Sequence, residues 1–125
     1  MTNVIYTDYA PAAVGPYSQA IDLGSFVFCS GQIPLVPETG LLVEGGIEEQ
    51  TRQMFANIKA VLRAAGLDFS NVVKTTVFMT DLTHFPIFNS IYAEYFHAAP
   101  PARSCVEVSA LPKGALVECE VIAAR

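Results

Sequence analysis

Apolar or small residues recur at Ile47, Thr51, Met54, Phe55, Ile58, Val61, Leu62 and Ala65, the three-and-four spacing of one buried helix face. Glu48, Glu49, Arg52, Lys59 and Arg63 fall on the opposite, wet side, and Gly66 stands where a helix needs a left-handed C′ residue. A second helix follows Thr83, a candidate N-cap: Phe85, Phe88, Tyr92, Tyr95 and Phe96 share its face, and Pro86 falls in the first turn, where no backbone donor is missed. The remaining apolar runs are short and β-branched or alternating. "YSQAIDL" and "SFVFCSG" flank Gly24 as a hairpin, with "NVIYT" before them as a possible edge strand. "PLVPETGLLVEGG" reads as a loop and "VVKTTVFMT" as a central strand. "ARSCVEVS" and "ALVECEVIA" close the chain as two strands, taken as an antiparallel pair around the Leu111-Pro112-Lys113-Gly114 turn. The order β-β-β-α-β-α-β-β predicts one α+β domain over residues 1–125, a mostly antiparallel sheet with both helices on one face.

Composition sharpens this picture. The chain has 125 residues, enough for one core without disulfides or a structural metal. It is 52% hydrophobic and only 15% charged, with a mean hydropathy of +0.40. Ordinary soluble domains carry roughly 25% charged residues. So much apolar surface on so small a chain predicts cover by further copies, with clefts between subunits as natural ligand sites. No apolar run reaches the roughly 18 residues of a membrane span, and the N-terminus shows no secretory pattern, so a cytoplasmic location is expected. Cys29, Cys105 and Cys119 are odd in number and form no CxxC pair, which fits reduced thiols. The net charge of −5, with cations scattered singly, argues against nucleic acid as a partner.

The candidate chemistry gathers around one guanidinium. Alternation puts Arg103, Cys105 and Glu107 on one face of the penultimate strand, and Glu118, Glu120 and Ile122 on one face of the last. With the two strands paired, either glutamate comes opposite or diagonal to Arg103 or Cys105. Two uses fit: a cross-strand ion pair at an oligomer interface, or an arginine fork holding a small carboxylate while a glutamate holds a water. A glutamate beside that arginine is expected to have a lowered pKa and stay ionised. His84 and His97 have no ligand spacing to a cysteine or carboxylate, so no metal site is expected. Cys105 beside Arg103 is either an activated thiolate or, on the better reading, a small buried side chain. Tyr17, Ser30, Gly31 and Asn89 each have an ordinary role in a strand, a turn or a helix start.

Six stretches, "AVGPYSQA", "CSGQIP", "NIKAVLRAAG", "VVKTTVFMTDL", "FNSIYAEYF" and "PPARSCVEVSALPKGALVECEVIA", together resemble the RidA family of reactive-intermediate (imine/enamine) deaminases, in that family's order and spacing. The last motif is the most specific. The resemblance implies a chorismate-mutase-like fold, a homotrimer with a central barrel and three active sites between subunits. Arg103 would hold the substrate carboxylate, helped by backbone groups of Ser104 and Cys105; Glu118 would orient the attacking water; Tyr17, Ser30, Gly31 and Asn89 would line the cleft. It also implies cofactor-independent hydrolysis of 2-aminoacrylate, 2-aminocrotonate and their imine tautomers, released by pyridoxal-phosphate dehydratases, to 2-oxo acids and ammonia. "FHAAPPAR" and Cys119 depart from the family's usual residues and bear on cleft size rather than reaction type. The rival expectation is a non-catalytic trimer that binds small carboxylates as a sensor or scaffold; RNA cleavage or translation inhibition ranks below both.

Overall fold

A computed structural model describes residues 2–125. Six strands form one sheet: β1 (Asn3–Ile5), β2 (Ala20–Asp22), β3 (Phe26–Gln32), β4 (Val72–Met79), β5 (Ala102–Glu107) and β6 (Val117–Ala124). Two helices, α1 (Ile47–Ala64) and α2 (Phe85–Tyr95), connect β3 to β4 and β4 to β5. The spatial order is β1-β2-β3-β6-β4-β5, antiparallel throughout except for the parallel pair β4–β5.

This order corrects the expected pairing of the last two strands. Residues 102–107 and 117–124 are not neighbours, because β4 lies between them. A parallel pair needs a crossover, and α2 supplies it, so β5 docks beside β4 at the sheet edge. The turn around Pro112-Lys113, with Lys113 at φ 59° and Gly114 at φ 74°, then redirects the chain into the slot between β3 and β4 rather than folding a hairpin. The Arg–Glu cross-strand ion pair has no place in this topology.

Both helices cover the same face. Val27 and Cys29 from β3, Val77 and Met79 from β4, and Val117, Cys119, Val121 and Ala123 from β6 point at them and are buried with Met54, Phe55, Ile58 and Val61 of α1. Phe55 anchors this core, with ring centroids of Phe69, Phe88, Tyr92, Tyr95 and Phe96 between 4.4 and 6.3 Å away. α1 ends as expected: Gly66 takes φ +76°, and the amides of Gly66 and Leu67 donate to the carbonyls of Arg63 and Leu62. The start of α2 differs from expectation. Asp81, not Thr83, is the capping side chain, accepting from the Thr83 amide at 2.9 Å and opening a short 3₁₀ turn that leads into α2 at Phe85.

The other face is bare. Phe26, Phe28 and Val106 are exposed on it, and Phe78 and Ile122 are half-buried. No helix among the described residues is long and apolar enough to cross a membrane.

Candidate functional site

Strand register assigns each charged group its face. Arg103 sits opposite Thr75 and Cys105 opposite Val77, both on the helix-covered side, whereas Glu118 sits opposite Phe78 and Glu120 opposite Thr76 on the bare side. The two glutamates therefore do share a face, as alternation predicts, but it is the face opposite to Arg103. Within one chain the residues of the expected site form two half-sites.

The first half-site surrounds Glu118. A cavity of about 480 Å³ is lined by Tyr17, Ser30, Gly31, Lys113, Glu118 and Glu120, among others. Between Cys29 and Gln32, β3 bulges, so that Ser30 and Gly31 are inserted while β6 advances by one residue fewer. The bulge brings the β3 backbone against Glu118: a Cβ on Gly31 would lie 2.6 Å from Glu118 Oε2 and 3.0 Å from its Cδ. Close approach, not a positive φ, is the reason for glycine here. Ser30 is held by a hydrogen bond from its Oγ to the Ser18 carbonyl at 2.6 Å and from its amide to the Gln19 carbonyl at 2.9 Å. Buried Gln19 in turn donates to the Thr7 and Pro11 carbonyls and accepts from the Thr7 amide, fixing the segment that leads to Tyr17. Tyr17 is 51% exposed, and its Oη accepts a long 3.4 Å bond from the Val14 amide, so it remains open to a ligand.

Burial raises the Glu118 pKa, and the neighbouring Glu120 charge raises it further. This reverses the expected lowering, because Arg103 lies across the sheet and supplies no compensating charge within the chain.

The second half-site surrounds Arg103 on the edge strand. Its Nη1 donates to Asn89 Oδ1 at 2.7 Å, and its Cζ lies 4.6 Å from the Tyr92 ring centroid and 5.3 Å from that of Phe85. It forms no ion pair among the described residues. β5 has a backbone partner on one side only. The Val108 amide bonds inward to the Met79 carbonyl, so alternation turns the Cys105 amide to the open edge, two residues along from Arg103. Ser104 presents its side chain to the bare face, where its Oγ accepts from Lys74 Nζ at 3.1 Å. Burial raises the Cys105 thiol pKa, with Arg103 opposing weakly, which favours a neutral thiol over a thiolate. Phe85 and Tyr92 enter the sequence reading only as core residues; their spacing around Asn89, at i, i+4 and i+7, is the signal that places them beside Arg103.

A larger hollow of about 640 Å³ lies beside α1 at Tyr9, Lys59 and Arg63, and it gathers none of the expected site residues. Among the described residues no cluster of three His, Cys, Asp or Glu side chains is placed to hold a metal ion.

A sheet backed on one face by two helices, with a carboxylate-bearing cavity on its bare face and an exposed arginine at its edge, defines a single-domain α+β protein. The family model described as Endoribonuclease L-PSP matches residues 7–125. A 2-iminobutanoate/2-iminopropanoate deaminase from Salmonella typhimurium is 50% identical over 128 residues, covering 100% of this chain and 99% of the relative. The crystal structure of a Rid-family protein of unknown function from Yersinia pestis superposes with a TM-score of 0.97 at 56% identity, covering 100% of both chains. That of E. coli TdcF with bound serine gives a TM-score of 0.94 at 46% identity, covering 98% of each chain. The chain belongs to the Rid family and is of the RidA type.

Proposed function

We propose that the protein hydrolyses small 2-imino acids and their enamine tautomers to 2-oxo acids and ammonia, at sites built between neighbouring copies of a homotrimer. The observation that carries this reading is the separation of Arg103 and Glu118 onto opposite sides of one sheet, each in an open half-site. One small molecule can meet both only if a second copy brings its own half. The bare face, with Phe26, Phe28 and Val106 exposed, supplies the apolar surface for such an assembly, and closing several sheets against one another gives the central barrel. The name of the Salmonella relative and the amino acid bound to the E. coli structure agree with a small carboxylate-bearing substrate.

The chemistry asks for modest help. The substrate carboxylate sits on the Arg103 fork and the Cys105 amide beside Asn89, and Tyr17 and Ser30 of the neighbouring copy close the site from the Glu118 side. Glu118 of the neighbouring copy accepts a proton as a water oxygen bonds to the C=N carbon, giving a carbinolamine. The same carboxyl then returns the proton to nitrogen and takes the hydroxyl proton as the C–N bond breaks and C=O forms, so ammonia leaves and carries that last proton away as ammonium. A pKa raised by burial suits both roles, because the group must accept a proton and give it back near neutral pH. Positioning with acid–base help contributes about 10²–10⁴-fold. Substrates of this class are 2-aminoacrylate and 2-aminocrotonate with their imines, products of dehydratases acting on serine and threonine. The RNase name of the family model finds little physical support: the net charge is −5, and Arg52 and Arg125 are already paired with Glu94 and Asp22.

The test is the decay of iminopropanoate generated by a serine dehydratase. Arg103→Ala abolishes the acceleration, and full activity in that variant would overturn the assignment. Glu118→Ala separates the enzyme from a binding protein: turnover is lost while pyruvate still binds.

A further inference from the structure

The arginine of an exposed edge strand has no packing reason to hold one conformation, yet Arg103 meets three side chains of α2. Tyr92, Asn89 and Phe85 stand at i, i−3 and i−7 along the helix, so all three project toward β5. We propose that Tyr92 and Phe85 are positioning residues that fix the plane of the Arg103 guanidinium, with Asn89 setting its rotation, so that the Nε–Nη2 edge is left as a preformed fork. This rests on the reading that Arg103 receives the substrate carboxylate.

The Tyr92 ring is itself immobile. It is 6% exposed, it packs on Phe96 at 4.7 Å and Phe55 at 5.9 Å, and its hydroxyl lies 2.8 Å from Thr75 Oγ1. Thr75 is fully buried and is the register partner of Arg103 across the parallel pair β4–β5. The tip of the ring is thus tied to the residue beside Arg103 in the sheet, and its face, 4.6 Å from Cζ, follows that registration. Phe85, half-buried at the start of α2, covers a second side at 5.3 Å. The Asn89 carbonyl oxygen takes Nη1. Of the five guanidinium hydrogens, the one on Nε and the Nη2 hydrogen beside it have no partner among the described residues and point along one edge, the geometry a carboxylate accepts side-on. A core tyrosine needs close packing and a partner for its hydroxyl, but no guanidinium on its face. The contact with Arg103 is additional to its packing on the aromatic cluster.

The experiment reads the arginine directly. In the full-length protein labelled with ¹⁵N, the Arg103 side chain should show separate, slowly exchanging Nη signals. Tyr92→Leu should merge them and weaken pyruvate binding roughly three- to thirty-fold, whereas Tyr92→Phe, which keeps the ring, preserves separate signals. Phe96→Leu removes a ring of the same cluster that does not touch Arg103, and the signals should remain separate. If Tyr92→Leu fails to fold, Phe85→Leu carries the same expectation at a half-buried position. Merged signals in the wild type, no change in Tyr92→Leu or Phe85→Leu, or equal merging in Phe96→Leu would each overturn the proposal. A wild type with separate signals that binds pyruvate but does not hydrolyse imines would overturn the deaminase reading and leave this one standing.

Discussion

Adding one methyl group at Gly31 tests the catalytic geometry most sharply. A Cβ there would lie 2.6 Å from Glu118 Oε2, 3.0 Å from Cδ and 3.2 Å from Cγ, whereas ordinary contact begins at 3.4 Å. The whole carboxylate must therefore retreat, its oxygen by at least the difference between 2.6 and 3.4 Å. The obstacle is a flexible side chain rather than backbone, so the fold should tolerate the change at about 0.5–1.5 kcal/mol, the scale of one side chain forced off its rotamer. Catalysis should suffer more, because a group misplaced by about 1 Å loses up to about 10²-fold in rate. Gly31→Ala is thus expected to melt within a few degrees of the wild type while iminopropanoate turnover falls roughly 10- to 100-fold. A double-mutant cycle isolates the cause: in the Glu118→Ala background the same methyl should have almost no further effect on rate. Turnover within a factor of about two of wild type, or an equal loss in both backgrounds, would refute the link between the bulge and Glu118.

Other outcomes follow from the same geometry. Arg103→Lys should be nearly as inactive as Arg103→Ala in the coupled assay, since a point charge cannot replace a fork stacked on two rings. With Glu118 as the proposed base, the acid limb of the pH–rate profile should lie above that of an ordinary glutamate, because burial raises its pKa; Glu120→Gln, which removes a like charge, should shift that limb to lower pH. The raised pKa also means that ionised Glu118 opposes folding. Its favourable neutral form is fully present below the unfolded carboxyl pKa and is lost as pH rises through the folded value, so Glu118→Gln should raise the melting temperature at pH 7 and not at pH 3. In the proposed trimer, Phe28→Glu on the bare face should lower the sedimentation mass to that of a monomer and abolish turnover with it. Phe55→Ala, fully buried among five rings, should cost about 3–5 kcal/mol in denaturant unfolding.

What the sequence alone determined depended on neighbours a few positions away, with the cap before α2, Asp81 rather than Thr83, as the exception. The apolar spacing from Ile47 to Ala65, the C′ glycine at 66, Pro86 in the first turn of α2 and the period-two alternation of Glu118 and Glu120 each follow from local backbone geometry, and each reappears in the structure. The motif around Arg103 also carried the resemblance to the family to which the chain belongs. Strand order was decided elsewhere. Whether β6 pairs with β5 or slips between β3 and β4 turns on long-range hydrogen bonding and on burial of Val117, Cys119 and Val121 beneath α1, and neither leaves a mark in the spacing of residues 102–124. That choice put Arg103 and Glu118 on opposite faces, raised rather than lowered the glutamate's pKa, and brought Phe85 and Tyr92 from the general core to the side of the guanidinium. Alternation fixes which residues of one strand share a face; only the packed sheet fixes which strands, and so which charges, meet.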